Sequence, residues 1–409
     1  MTLFKLLLFF IVKGILADVN ETERSGVQLW RVQGDLDEDV IAEFYDRARL
    51  TEEIWKRDNR TIDFLIYEEE AADFIVFLDE HKVSHRILID DVRQTVDEAM
   101  LNTFPTRRLA VQGGTFTWTS YPSLAEINTY LKKLASDYPK HCSLTELGKT
   151  SQKKPIYALK ISNGKPYNVA ILVDGGTHGR EWTSVISALY FIDSLVKNYD
   201  KQPEYMKKRD WHVIPVLNPD GYDYSLTVDR LWKKNRRRLS GTCRGVDLNR
   251  NFAYNWGKDL TTLSACNQFY CGPMAFSEEE TKAFKRLTDG THFSGYLSIH
   301  SAGTKVMFPL TNEAVNRDDY HLHLDMTKNM CLAMRAVGHQ SFTNGNIAKI
   351  GKKGYGMAID WMYYEKRIPH SYLIETRSQN GLDLIPPKEI LIAAKEVQAG
   401  IMKFAEKLR

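Results

Sequence analysis

The sequence predicts an α/β protein, a mixed, mostly parallel sheet with helices on both faces, preceded by a small α/β open sandwich. Three observations predict it. The near-continuous apolar runs "YNVAILVDGG", "WHVIPVLNPDG", "FSGYLSIHSAG" and "HSYLIETRS" mark strands covered on both faces. Segments with helical spacing separate them, and such alternation argues for a parallel sheet with helices on both sides. Earlier in the chain, short strands and helices follow one another in β-α-β-α-β order.

The first segment, "MTLFKLLLFFIVKGILADVNET", reads as a secretory signal. Lys5 precedes the apolar run Leu6 to Val12, and Ala17 is a small residue at a cleavage point. The run is too short to span a bilayer, which takes about 20 apolar residues. The expectation is a soluble protein in an oxidising space. Acceptor tripeptides at Asn20 and Asn59 fit that route. Of five cysteines, an odd number, at least one stays free or pairs between chains.

The open sandwich follows. "VQLWRVQG", "TIDFLIY" and "SHRILIDDV" read as strands, and "EDVIAEFYDRARL" and "EEAADFIVFLDEHK" as helices. No cluster of chemically active residues lies here. Then "LNTFPTRRLAVQGGTFTW", with Pro, two Gly and the pair Arg107-Arg108, reads as an exposed linker open to proteolysis. The expected boundaries are 1–17, 18–108 and 109–409.

In the large segment, "SLAEINTYLKKLASDYP" and "EWTSVISALYFIDSLVKNY" read as helices, "NPDG" as a turn, and "PPKEILIAAKEVQAGIMKFAEKL" as a closing helix with Pro near its start. Hydrophobic residues make up 43% of the chain and charged ones 26%, enough apolar content for a packed core. A net charge of +3 does not suggest nucleic acid as a partner. The locally basic "WKKNRRRL" reads as a solvated face or loop.

In open α/β sheets the chemistry gathers beyond the carboxyl ends of the strands. His178, Arg180 and Glu181 follow one apolar run, His300 follows another, and Glu375 ends a third. His178 and Glu181 stand three apart on a tight turn, and His300 adds a distant third donor. Two His and one Glu with an open fourth position for water is a catalytic zinc pattern. Asp247 reads either as a carboxylate orienting a ligand histidine or as a turn or helix cap. Glu375 reads either as a proton-relaying carboxylate or as the partner of Arg377 in a salt bridge.

"THGREW", "GVDLNRNF", "LSIHS", "AIDW" and "SYLIETR" occur in that order, and the chain resembles the zinc metallocarboxypeptidases of the pancreatic A/B type along its whole length. The resemblance implies a secreted zymogen with an α/β open-sandwich propeptide, freed by an activating protease near Arg108. Its substrates would be peptides or proteins with a free C-terminus, with neither nucleic acid nor membrane as a partner. It implies one Zn2+ held by His178, Glu181 and His300, with Glu375 as general base. Asn249 and Arg250 would hold the terminal carboxylate, which a guanidinium fork can accept bidentately. Arg180 and Ser301 would contact substrate, and Cys243 and Cys266 would form the family disulfide.

The pocket for the last side chain is implied at Ile359, where an enzyme taking Lys or Arg would carry an acid. With Leu373 it implies an A-type preference for apolar or aromatic residues. There are departures. Lys233 stands where the family has its oxyanion-stabilising arginine, a non-conservative exchange, with Lys234 adjacent. Lys352 stands at the position of the substrate-capping tyrosine, with Tyr355 nearby. Ala302 replaces an aromatic, and one extra residue lies between Trp361 and Glu375. Two readings follow, an active metallocarboxypeptidase or a zinc-retaining peptide binder of the same fold with little turnover. An intact Glu375 favours the first, since a pure binder needs no proton relay.

Overall fold

Alternation along "VQLWRVQ" produces the first strand, β1 (Val27–Gln33), which buries Val27, Leu29, Trp30 and Val32. The computed structural model describes residues 26–34, 54–57, 61–103, 111–112, 115–258, 264–301, 303–310, 317–351, 354–377 and 385–408. The signal segment, the helix expected over "EDVIAEFYDRARL", Asn20, Asn59, Arg107-Arg108, Ala302 and Lys352 lie outside these residues. Two units divide the chain.

In the first unit β1 pairs antiparallel with β3 (Thr61–Tyr67) and β4 (Ser84–Ile89), and β2 (Ile54–Arg57) pairs with β3, giving the order β2-β3-β1-β4. Helix α1 (Ala71–Glu80) presses Phe74 edge-on against Trp30 and Phe64, closing a small core. Arg31 and Asp63 face each other across β1 and β3 and form a two-pronged ion pair at 2.7 Å. The expected strands and α1 are present, while β2 was not read from the sequence. Nor was helix α2 (Val92–Thr103), whose last residues, 101–103, fall in the stretch expected to be linker.

After a two-residue pair, β5 (Val111–Gln112) with β6 (Thr115–Phe116), the second unit builds a large sheet. Its strands are β7 (Cys142–Lys149), β8 (Pro155–Ile161), β9 (Val169–Asp174), β10 (Arg209–Ile214), β11 (Phe293–His300), β12 (Lys305–Phe308), β13 (Thr343–Asn346) and β14 (His370–Glu375). The order is β13-β12-β14-β11-β9-β10-β8-β7. The central strands β14, β11, β9 and β10 are mutually parallel, and antiparallel strands join on both flanks. The expected mixed sheet is therefore present, with its parallel part at the centre.

Strand parity sorts side chains between the two faces. Ile171 and Val173 of β9, Leu297 and Ile299 of β11, and Tyr372 and Ile374 of β14 enter one apolar core. The helices α3 (Leu124–Asp137), α4 (Trp182–Lys197), α7 (Arg317–Gly338) and α8 (Pro387–Lys407) supply its other wall. Ala170, Leu172, Tyr296 and Leu373 enter the opposite core, with Phe284 of α6 (Glu279–Gly290) and the segment 357–362. By the same parity, Asp174, His300 and Glu375 belong to this second face. "NPDGY" is not a free turn. Asn218 caps helix α5 (Pro219–Thr227), accepting from Gly221 N at 2.9 Å, with Pro219 in the first turn.

Glu280, on α6, is fully buried and accepts from Asn235 Nδ2 at 3.1 Å. Burial, reinforced by the nearby Glu278, pushes its carboxyl up to about 8. The unfolded chain would release this proton in the ordinary carboxylate range, so this group's contribution is complete at low pH and is lost as pH rises through about 8. Glu280→Gln is expected to flatten that loss, unfolding at the native temperature at pH 4 and above it at pH 9. Parallel native and mutant curves at both pH values would contradict this.

Candidate functional site

The chain leaves β9 through "DGGTHGRE", and backbone hydrogen bonds hold the loop on both sides. Gly175 N donates to Ile214 O at 2.9 Å, Leu217 N to Gly175 O at 3.0 Å, and Gly179 N to Lys233 O at 2.8 Å. Gly176 has φ +63, and a Cβ there would lie 2.8 Å from the Val185 side chain. Only glycine takes that backbone conformation without strain. Ser184 accepts from Gly176 N at 2.9 Å and donates to Glu181 O at 2.7 Å, tying the loop to the start of α4.

That loop turns His178 and Glu181 toward one point. His178 Nδ1 lies 2.6 Å from Glu181 Oε1, and His300 Nδ1 lies 2.9 Å from Glu181 Oε2. One donor atom from each of the three lies within 4.8 Å of the others, and all three residues are buried. Burial favours the neutral form of Glu181, but the two facing histidines outweigh it and hold the carboxyl well below the usual range. Two imidazole nitrogens and a carboxylate oxygen converging in a buried site suit zinc.

The second nitrogen of His178 faces Asp247. Its Nε2 lies 3.1 Å from Asp247 Oδ1, which also accepts from Asn249 N at 2.9 Å. Both readings of Asp247 therefore hold at once: it caps the turn Leu248–Arg250 and it fixes the imidazole. A carboxylate behind a ligand histidine sets which nitrogen faces the metal. Asp247 Oδ2 lies 2.9 Å from Lys233 Nζ. Despite burial, Lys233 and His178 keep the Asp247 carboxyl well below its ordinary range.

"WKKNRRRL" is not a solvated face throughout, because Lys233, Lys234 and Asn235 are all buried. The Lys233 ammonium lies 4.2 Å from the centre of the Phe269 ring, and Arg250 lies 5.5 Å from the same ring. Phe269 was not read as a site residue, and nothing in "CNQFYCG" marks it. Burial lowers Lys233 to about 8, against the pull of Asp247.

Asn249 accepts from Ala358 N at 3.0 Å, which links the "LNRN" turn to the segment carrying Ile359. Arg250 donates to Asn249 O at 2.8 Å, and Arg180 donates to Leu231 O at 3.4 Å. Ser301 Oγ is buried without a hydrogen-bond partner among the described residues. Ile359 and Leu373 are buried in the second-face core, Ile359 at 1% exposure, and no acid stands at either position. Between them, Trp361–Glu365 form a π turn.

Glu375 pairs in register with His300 across β14 and β11. A Cβ on Gly303 would overlap the Glu375 carboxylate and force it to move. Arg377 does not pair with Glu375. Its guanidinium takes Glu396 Oε2 at 2.8 Å and Glu389 Oε2 at 3.3 Å, both on α8. Cys243 and Cys266 form a disulfide, and Cys142, Cys271 and Cys331 are buried thiols.

Comparison with known proteins defines the family. Residues 127–400 match the zinc carboxypeptidase family and residues 41–99 the carboxypeptidase activation peptide. Carboxypeptidase B of Rattus norvegicus is 29% identical over 421 residues, covering 99% of both chains. Zinc carboxypeptidase A 1 of Anopheles gambiae is 28% identical over 354 residues, 84% of this chain and 80% of that one. The solved carboxypeptidase A from Helicoverpa armigera superposes with a TM-score of 0.86 at 26% identity, covering 94% of this chain and 98% of that one. The chain belongs to the zinc carboxypeptidase family and carries that family's activation peptide.

If Asp247 orients His178, Asp247→Ala should weaken zinc binding about 10- to 100-fold. Competition with a chromophoric chelator measures this, and native affinity in the variant would contradict it.

Proposed function

We propose that the chain is a secreted zymogen with a signal at 1–17, a propeptide at 18–108 and a catalytic domain at 109–409. Cleavage after Arg108 would release a carboxypeptidase that removes apolar and aromatic C-terminal residues. The observation that carries this reading is the meeting of His178, Glu181 and His300 at the carboxyl ends of the central strands, where Glu375 ends β14.

In this reading His178, Glu181 and His300 hold zinc, which when bound polarises the scissile carbonyl and acidifies water. Arg250, with Asn249, receives the substrate's terminal carboxylate in a fork geometry. Arg180 and Ser301 contact the substrate further along. Glu375 is the general base that takes a proton and returns it to the leaving amine. Its freedom for that task is supported by the commitment of Arg377 to Glu396 and Glu389. Ile359 and Leu373 make the wall of the pocket for the last side chain, and an apolar wall does not compensate a buried cation. The position of Lys352 falls to a capping role over bound substrate.

Lys233 is the departure that matters most. Its charge supports an oxyanion role, but its ammonium lies 2.9 Å from Asp247 and cannot present a planar fork. That ion pair favours a second reading, a zinc-holding peptide binder with little turnover. In the catalytic reading the consequence is a slower enzyme with an alkaline limit. The cation exists below about 8 and is lost above it.

Peptides ending in Phe, Leu or Lys, offered after processing at Arg108, separate these readings. Release of Phe and Leu is expected, stopped by a zinc chelator and reduced about 10² to 10⁴-fold in Glu375→Gln. Binding without release would favour the second reading, and release of Lys alone would overturn the role given to Ile359. Lys233→Arg is expected to raise kcat and to remove the fall in activity above pH 8. An unchanged rate and pH profile would remove Lys233 from the oxyanion role.

A further inference from the structure

Lys233 and Asp247 come from two chain segments, and their 2.9 Å pairing depends on what holds those segments together. One link is the backbone bond from Gly245 N to Arg237 O at 2.9 Å, and Asn235 supplies the others. Asn235 is fully buried. Its Oδ1 accepts from Val246 N at 2.8 Å, and its own N–H donates to Val246 O at 3.1 Å. It therefore clamps the residue before Asp247 from a position two residues after Lys233.

The amide of Asn235 is itself fixed. Nδ2 donates to Glu278 Oε2 at 2.8 Å and to Glu280 Oε2 at 3.1 Å, both beside the start of α6. Glu278 is balanced by Arg237 at 2.7 Å and by Ser277 Oγ at 2.6 Å. Glu280 lies near Glu278 and Asp220, and both raise its carboxyl further. Asp220 is held in turn by Thr150 Oγ1 at 2.8 Å and Gln152 N at 3.1 Å, with Lys154 Nζ at 3.9 Å. An amide with two donors and an acceptor suits this place, and a carboxylate would not, since it would join Glu278, Glu280 and Asp220 as another acid with no proton to give.

We propose that Asn235 is a positioning residue that sets Lys233 against Asp247, with Glu278 and Glu280 as the acceptors that fix its amide. The inference rests on the catalytic reading of Lys233 and on Asp247 orienting His178. It extends the site one layer outward to α6.

The experiment uses the full chain for zinc affinity, by chelator competition, and the activated enzyme for kcat and KM with a Leu-ending peptide. Asn235→Ala is expected to lower zinc affinity and kcat about tenfold each while leaving KM near native, the low end of the cost of losing a direct partner of a ligand, since Asn235 acts through Asp247. Asn235→Asp places a new acid beside the Glu278 carboxylate, which disfavours its ionisation, so its kcat relative to native should fall about tenfold as it ionises from pH 6 to pH 8. Native zinc affinity and native kcat in Asn235→Ala would overturn the proposal. If Asn235→Ala does not fold, the Asp variant decides, and a mutant-to-native ratio equal at pH 6 and pH 8 overturns it. A native enzyme that releases nothing would instead remove the catalytic reading, while the zinc affinities would still test the clamp.

Discussion

The site depends on one carboxylate shared between two imidazoles. Glu181 lies 2.6 Å from His178 and 2.9 Å from His300, deep in the protein. A buried carboxylate is costly unless paired, so this arrangement holds only if both histidines arrive correctly. His178 is placed by the glycine turn after β9, and His300 by the register of β11. Parallel pairing aligns His300 with Glu375 and Ser298 with Asp174, which brings these strand ends to one edge. A one-residue slip would turn each of those side chains to the other face.

Behind that carboxylate runs a line of buried polar groups, from the His178 imidazole to the Asp247 carboxylate to the Lys233 ammonium. Each member is buried and each is stabilised by the next. Lysine satisfies Asp247 as a point charge, and burial then draws its proton affinity down toward the working range of an enzyme. An arginine would keep its charge at any ordinary pH. In the proposed clamp the same line would connect Asn235, Glu278 and Glu280, which touch no candidate ligand, to the metal site.

How much of this was legible in the sequence depended on burial. The central strands β9, β10, β11 and β14 are covered on both faces, so they read as apolar runs, and their ends carried His178, Glu181, His300 and Glu375. The flanking strands β7, β8, β12 and β13 are short or mixed in polarity and did not stand out. "NPDGY" read as a turn because its cap and proline resemble turn chemistry as much as a helix start. "WKKNRRRL" read as solvated because charge counts do not reveal a buried partner such as Asp247. Likewise Arg377 stands two residues from Glu375 in sequence, yet its partners lie on α8.

X-ray absorption at the zinc edge of the zinc-loaded full chain tests the central claim most directly. The account expects one zinc per chain, surrounded by nitrogen and oxygen at about 2.0–2.2 Å with the scattering signature of two imidazoles. Sulfur near 2.3 Å, or a shell without imidazole, would contradict the assignment of His178, Glu181 and His300.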